Sequence, residues 1–438
     1  MLTKYFGSPM QIDRRNFIRN SSLAAGTIGL SGQSFGLSKK SVAAQLDLSN
    51  WQSVRNEFLL DPSLVHMTGL LLASNPTPVR NAIEAFRNGL DRNPVEFFAS
   101  QFAAKERACY ESVGQYLETL PEQISLTDST TMGLGLLYNG LKLLPGQEIL
   151  TTTHEHYSSK TSLKTKADTS GAVIRQIELY SDSSAVSSSD IVRNIMSAVT
   201  EKTRVLALTW VHSGTGVKIP VKDIGEVVAN INSTRTEENR ILFCVDGVHG
   251  FGIEALSIEQ LGCDFFVAGC HKWLFGPRGT GFIWGKKESW KWVTPLIPSF
   301  NMQFYPTQGS LMTPGGFHSF ELRWALPEAF KFHLAIGKER IQNRIHSLNT
   351  QLKTGLESLN GVKLLTPLSA ELSSGITCFE ITGMAPKDVI AGLRAKRIIG
   401  STTPYDVTYA RLTPGLLNNE MEIDEAVAAV AELCNKVR

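Results

Sequence analysis

The chain has 438 residues, of which 42% are hydrophobic and 19% charged, so it is long enough to bury a large core. Its 43 lysines and arginines nearly balance its 41 acidic residues and leave a formal net charge of +2. This balance provides neither the basic surface that binds nucleic acid nor a polybasic membrane patch, so neither partner is predicted.

The N-terminal residues 1–44 predict a twin-arginine export signal. Arg14 and Arg15 precede an apolar run at 21–37 that is rich in glycine, alanine and serine, and Val42-Ala43-Ala44 is suited to cleavage. The run is too short and too rich in glycine and serine for stable membrane insertion. We therefore expect the twin-arginine machinery as a partner and a soluble protein in the periplasm; the alternative is a disordered basic tail.

Residues 45–80 are predicted to form an N-terminal arm, because Pro76 and Pro78 interrupt the helical pattern there. The large domain is predicted at 81–310, where short apolar runs alternate with helical patterns from about Ile124 onward. This alternation predicts an α/β fold with a largely parallel sheet. The strand candidates are 147–152, 173–179, 204–209, 241–245, 265–268 and 281–284.

A smaller C-terminal α+β domain is predicted at 311–438. A long loop at 295–316, rich in proline, glycine and aromatic residues, precedes it. A single helix is expected at about 321–348, followed by a strand at 375–381 and helices at 386–396 and 423–437.

Two residues predict the chemistry. Asp246 and Lys272 each follow an apolar strand, and the carboxyl ends of neighbouring parallel strands meet at the sheet edge where ligands bind. Pyridoxal phosphate requires this pair: a lysine that forms an imine with its aldehyde, and a carboxylate that keeps the pyridine nitrogen protonated. By contrast, Cys263 and Cys270 are separated by a strand-like run without a turn, so no metal site is predicted.

The sequence His271-Lys-Trp-Leu-Phe-Gly-Pro-Arg-Gly-Thr-Gly281 resembles the class V aminotransferase superfamily, in particular its isopenicillin-N-epimerase-like branch. This resemblance implies a fold type I architecture: a large lobe with a mostly parallel seven-stranded sheet and a smaller C-terminal α+β lobe. It also implies pyridoxal 5′-phosphate as cofactor, with Lys272 as the catalytic residue that holds it.

The resemblance assigns cofactor contacts to further residues. Thr130 and Thr131, at the start of a helix predicted at 132–144, and His271 would contact the phosphate. His156 would stack on the ring, and His249 would contact the ring hydroxyl beside Asp246.

Two more positions belong to the expected site, Arg411 and Ser319, and two others, Gly269 and His154, carry further expectations. Gly269 departs from the family pattern, since many relatives carry a hydroxyl or amide side chain there. Arg411 would hold the substrate carboxylate. Ser319 lies in a loop that reaches the partner subunit's cofactor in relatives, which implies a homodimer. His154 is expected to be an exposed loop residue.

The predicted substrate is an amino acid or a peptide-derived amine. Since exported relatives tailor a pyoverdine-type siderophore, the signal favours a secreted metabolite. An aminotransferase, epimerase or C–S lyase for small free amino acids is the alternative, and a non-catalytic binding protein is a third hypothesis. Cysteine desulfurases need a cysteine on a mobile loop before the substrate arginine, and residues 393–410 contain none, which argues against that activity.

Overall fold

The computed structural model describes residues 47–255 and 257–437, so the predicted export signal at 1–44 lies outside the described residues. The helices are α1 (Trp51–Asn56), α2 (Thr77–Arg92), α3 (Pro94–Leu117), α4 (Thr130–Gly140), α5 (Tyr157–Ser170), α6 (Ser188–Ala198), α7 (Val221–Asn232), α8 (Phe320–Trp324), α9 (Leu326–Ile336), α10 (Lys338–Glu357), α11 (Pro386–Ala395) and α12 (Glu420–Asn435). The strands are β1 (Val65–His66), β2 (Ile124–Thr127), β3 (Glu148–Thr152), β4 (Val173–Ile177), β5 (Thr203–Thr209), β6 (Leu242–Asp246), β7 (Phe265–Gly269), β8 (Gly281–Gly285), β9 (Val362–Leu364), β10 (Thr377–Ile381), β11 (Ile398–Ile399), β12 (Ser401–Thr402) and β13 (Ala410–Leu412).

Seven strands form the central sheet in the order β2-β8-β7-β6-β5-β3-β4. The five strands from β4 to β7 run parallel, whereas β8 is antiparallel to both of its neighbours. Every residue of β5, β6 and β7 is buried, as expected for parallel strands covered by helices on both faces. The predicted, mostly parallel seven-stranded sheet is therefore confirmed.

Four antiparallel strands form a second sheet near the C-terminus, in the order β12-β13-β10-β9. Buried apolar residues of α10, α11 and α12 pack with this sheet in a core of their own. This arrangement is the predicted smaller α+β lobe. Across the described ranges, no helix is both long and apolar enough to cross a membrane.

Two predicted helices have different bounds in the structure. The single helix expected at 321–348 is wrong, because this stretch contains α8, α9 and the first half of α10. Pro327 stands in the first turn of α9, and Gly337, at φ +99°, separates α9 from α10. The helix expected at 132–144 begins two residues earlier, at Thr130, where the Ser129 hydroxyl accepts a hydrogen bond from the Met132 backbone N–H at 3.1 Å.

The N-terminal segment is joined to the C-terminal lobe by backbone pairing. Val65 and His66 of β1 pair in parallel with Ile398 and Ile399 of β11. The following Met67 donates its N–H to Ile399 and accepts bonds through its carbonyl from the backbone and hydroxyl of Thr413. The chain then passes beside the central sheet, where the Ala73 N–H donates to the carbonyl of His271 at 3.1 Å.

Candidate active site

The parallel strands of the central sheet end at a cleft of about 540 Å³. Thr209 ends β5 and Asp246 ends β6, and these two residues are paired in register. Strand β7 ends at Gly269, three residues before Lys272. The cleft is lined by seven of the predicted site residues: Thr130, Thr131, His156, Asp246, His249, Lys272 and Arg411.

Asp246 is buried and Lys272 half-buried in this cleft, and loss of solvent shifts their pKa values in opposite directions. Loss of solvent raises the pKa of Asp246 to about 6. The backbone N–H of Val248, which donates to its carboxylate at 3.2 Å, acts in the opposite direction and lowers this pKa. Burial lowers the pKa of Lys272 to about 8, although the negative charge of Asp246 raises it. The lysine is therefore far closer to its reactive, uncharged form at neutral pH than an exposed lysine is.

One end of the cleft can hold an anion. Thr130 and Thr131 occupy the first turn of α4, whose free backbone N–H groups and dipole favour negative charge. Within the described ranges, Thr130 Oγ1 and His271 Nδ1 are buried without a hydrogen-bond partner. A buried polar group without a partner is costly, so these atoms and the helix terminus fit a bound phosphate.

Gly269 lies between these two unpartnered atoms. A Cβ at this position would be 3.0 Å from Thr130 Oγ1 and 3.1 Å from the His271 ring. A larger side chain here would therefore displace one of them. The glycine leaves room for the threonine hydroxyl and the histidine to approach the same point.

His156 lines the cleft from the start of α5. Its Nδ1 lies 2.7 Å from the Ser158 hydroxyl and accepts the Ser158 N–H at 3.3 Å, which fixes the ring at the helix N-terminus. Burial, together with the positive charges of Lys272 and Arg411, lowers the pKa of His156. Its imidazole is therefore neutral at pH 7 and presents a flat face that can stack on a cofactor ring.

Arg411, on β13, is 1% exposed and held by neutral oxygens. Its Nε donates to Ser401 Oγ at 3.1 Å, one Nη to the carbonyl of Ser213 at 2.8 Å, and the other Nη to the carbonyl of Thr402 at 3.2 Å. Burial lowers its pKa. No carboxylate pairs with it among the described residues, and a buried cation of this kind is suited to bind an anionic ligand.

The structure reveals two residues whose roles the sequence did not predict. Glu155 is fully buried, and burial raises the pKa of its carboxyl to about 7 despite hydrogen bonds from Thr209 and Thr152. Tyr405 lies in the loop between β12 and β13, and its hydroxyl is 2.6 Å from Ser213 Oγ. Ser213 thus contacts Tyr405 through its side chain and Arg411 through its carbonyl.

His154 and Ser319 lie away from the cleft. The expectation that His154 is an exposed loop residue is wrong, because its half-buried ring stacks on Tyr180 at a centroid distance of 4.0 Å. Ser319 is exposed at the start of α8 and does not line the cleft of its own chain. Its predicted contact concerns the partner subunit's cofactor and stays a prediction.

The comparisons with known proteins agree with this geometry. Residues 73–402 match the family model described as aminotransferase class-V. The chain is 26% identical over 412 residues to an isopenicillin N epimerase of Streptomyces clavuligerus, which covers 88% of this chain and 99% of that protein. It is also 26% identical over 287 residues to a probable cysteine desulfurase of Halalkalibacterium halodurans, which covers 63% of this chain and 66% of that protein.

Among solved structures, a C-DES variant with glycine covalently linked to its PLP cofactor superimposes with a TM-score of 0.78 at 21% identity. The match covers 86% of this chain and 99% of that chain, and it shows a shared fold. The matched family indicates pyridoxal phosphate as the cofactor of this chain. The chain belongs to the class V aminotransferase family of pyridoxal-phosphate-dependent enzymes.

Proposed function

We propose that this chain is an exported enzyme that uses pyridoxal phosphate to react at the amino group of an amino acid or a peptide-derived metabolite. The observation that carries the proposal is the convergence of Lys272, Asp246 and Arg411 on one cleft. The lysine offers a nucleophilic amine, the aspartate a negative charge, and the arginine a site for a carboxylate.

When bound, pyridoxal phosphate supplies an aldehyde that links covalently to amines and a ring that withdraws electrons from the substrate Cα. Lys272 would hold the aldehyde in the resting enzyme. The Lys272 amine would also be suited to move a proton at the substrate Cα, because its pKa is lowered.

The other residues of the cleft would hold and orient the reactants. Asp246 would keep the ring nitrogen protonated, His156 would stack on the ring, and His249 would contact the ring hydroxyl. Thr130, Thr131 and His271 would bind the phosphate. Arg411 would fix the substrate carboxylate and so set which bond at Cα lies perpendicular to the ring.

The proposed reactions are transamination, elimination, decarboxylation and epimerisation at Cα. Cysteine desulfurisation is disfavoured, although desulfurases are among the relatives. All six cysteines of the chain are buried, and the loop before Arg411 carries Tyr405 rather than a cysteine. Burial raises the pKa of Cys378, which is paired in register with Arg411, to about 12, so it is no thiolate nucleophile at neutral pH.

The sequence motif at Arg14 and Arg15 supports export to the periplasm. An exported enzyme of this class would meet secreted metabolites, and we propose tailoring of an amino group on a pyoverdine-type siderophore peptide as its task. Small free amino acids are the alternative substrates. The twin-arginine route transports folded proteins, which suits an enzyme that takes up its cofactor before export.

A second copy of the chain is the proposed partner. The loop between β8 and α8 exposes several large apolar side chains, a patch that is unusual for a monomer. The most exposed are Phe317 at 83%, Met302 at 66% and Phe304 at 52%. Ser319 lies next to this patch, which supports a homodimer in which the loop reaches the other subunit's cofactor.

The absorption spectrum of the purified protein, before and after borohydride reduction, tests the proposed function. A band near roughly 420 nm is expected from the imine conjugated with the ring, and reduction should leave the adduct on Lys272 in peptide mass mapping. The Lys272→Ala variant should lose the covalent link. A wild-type protein that stays colourless after addition of pyridoxal phosphate would refute the proposal.

A further inference from the structure

A second cleft, of about 600 Å³ including its mouth, meets the first at Lys272. We call it the side cavity and define it by the six apolar residues that form much of its wall: Leu60, Leu72, Trp273, Phe275, Leu416 and Leu417. The chain at 70–74 runs along both clefts, since Leu70 and Leu71 line the first and Leu72 to Ser74 line the second. Lys272 lines both.

Besides Lys272, the charged side chain at the wall of the side cavity is Arg55, which is already neutralised. Arg55 pairs with Glu422 at 2.6 Å. The second carboxylate oxygen of Glu422 accepts the amide of Asn418 at 2.8 Å, while the Asn418 side-chain oxygen accepts the N–H of Gly415 at 2.9 Å. The polar groups at this end therefore bind one another, and Arg55 is not free to bind a ligand.

The backbone of Phe275 adopts a left-handed conformation, with φ +60°, that is unfavourable for an aromatic residue. The Phe275 N–H donates to the carbonyl of Lys272 at 3.0 Å, and the amide of Asn75 donates to the carbonyls of Phe275 at 3.0 Å and Gly276 at 2.9 Å. These bonds maintain the strain and hold the Phe275 ring in the cavity wall. Strain of this kind persists where the surroundings enforce it, commonly at ligand sites.

We infer that the side cavity binds the side chain of the substrate, and that this side chain is uncharged and largely apolar. The inference rests on the proposed function, which places the substrate amine at Lys272 and its carboxylate at Arg411. The side chain on the same Cα must then leave the cofactor cleft, and the side cavity begins at the same lysine. Its walls favour hydrocarbon or aromatic groups, and a side chain linked through a neutral amide also meets the requirement.

The test is a titration of the holoenzyme with L-alanine, L-2-aminobutyrate, L-norvaline and L-norleucine. Binding is followed both by the visible spectrum of the cofactor and by calorimetry. Each added methylene should lower the dissociation constant about fourfold as it leaves water. L-Glutamate should bind more weakly than L-norvaline, because Arg55 in the cavity wall is already paired with Glu422.

Two matched variants test whether the gain in affinity per methylene arises in the side cavity. Leu72 is 53% exposed at the wall of the side cavity, so Leu72→Glu should fold normally and reduce the gain per methylene to less than twofold. Leu59 lies on the same arm, is 77% exposed and lines neither cleft, so Leu59→Glu should keep the fourfold gain.

The possible results distinguish failure of the side-cavity inference from failure of the proposed function. If alanine changes the spectrum but the series is flat, or if Leu72→Glu behaves like Leu59→Glu, the side-cavity inference is wrong while the proposed amine chemistry stands. If the holoenzyme binds pyridoxal phosphate but none of these amines changes its spectrum or releases heat, the proposed function fails and the inference fails with it.

Discussion

The amine of Lys272 lies 3.4 Å from Nε2 of His249. Trp273 Nε1, which can only donate, approaches the other ring nitrogen of His249 at 3.5 Å. Burial lowers the pKa of His249 well below its usual range, so the ring is neutral and its proton lies on Nε2. Only an uncharged lysine amine can accept a hydrogen bond from this Nε2–H group, so the contact favours the reactive form of Lys272.

The rate at which the apoprotein attaches pyridoxal phosphate should therefore reach its plateau at a lower pH than is usual for a lysine. Only the uncharged amine attacks the aldehyde, so the rate should rise with pH and reach a plateau just above pH 8, the pKa to which burial lowers Lys272. Stopped-flow absorbance between pH 6 and 10 measures the rate. Free Nα-acetyl-lysine is the control, and a protein rate that climbs with it throughout this range would contradict the prediction.

Glu155 should make the protein less stable as pH rises. Its folded pKa of about 7 exceeds the ordinary 4.5, so between these values the folded chain keeps a proton that the unfolded chain has lost. The free energy of unfolding should then fall with rising pH across this window, by about 3 kcal/mol in total, and level off above pH 7.

Glu155→Gln should remove this component, as measured by chemical denaturation at pH 5 and pH 8. Asp246 contributes in the same direction and should leave a smaller slope in the variant. The exposed Glu178→Gln serves as control and should follow the wild type. Equal slopes in Glu155→Gln and wild type would show that Glu155 is not protonated in the folded protein.

Arg411→Lys should weaken the binding of amino acids about 10- to 100-fold without a change in the cofactor spectrum. The planar guanidinium binds a carboxylate through two hydrogen bonds, which an ammonium group cannot reproduce. The measurement compares dissociation constants for an amino acid and for the corresponding amine that lacks the carboxylate. The amine should bind equally to both proteins, and an equal loss for both ligands would exclude carboxylate binding by Arg411. Arg193→Lys, at the surface, is the control.

Phe317→Glu should convert the proposed homodimer into monomers, because it places a charge in an apolar contact. Sedimentation velocity over a range of concentrations measures the change. Leu59→Glu is matched in exposure and lies outside the aromatic loop, so it should stay dimeric. A wild-type protein that is monomeric at all concentrations would refute the proposed dimer.

Replacement of Arg14 and Arg15 by lysines should keep the protein in the cytoplasm, since the twin-arginine machinery recognises this pair. Cell fractionation followed by immunoblotting measures the distribution. Replacement of Lys39 and Lys40 by arginines controls for general changes in the leader. Accumulation of the Arg14/Arg15 variant in the periplasm at the wild-type level would exclude this export route.

The centre of the sheet was predictable because β6, β7 and β8 are short, mostly apolar runs, and the ends of β6 and β7 could be read from the positions of Asp246 and Lys272. Strand β2, with the sequence Ile-Ser-Leu-Thr, was not among the strand candidates, because its polar residues interrupt the apolar run. The contact between Tyr405 and Ser213 was not, because it joins residues 192 positions apart with no local pattern. The break at Gly337 was missed because the apolar spacing continues through it. Glu155 precedes His156, which was predicted, but its burial was not, because its carboxylate contacts Thr209 on another strand.

The pairing of β1 with β11 has a consequence for synthesis of the protein. Met67 and Thr413, which continue this pairing, are separated by 346 positions, so the arm beside Lys272 cannot dock until nearly the whole chain has left the ribosome. Closing so long a loop is slow. The cofactor cleft should therefore be completed only after translation ends, and a truncated chain that lacks β11 and all later residues should not retain the cofactor.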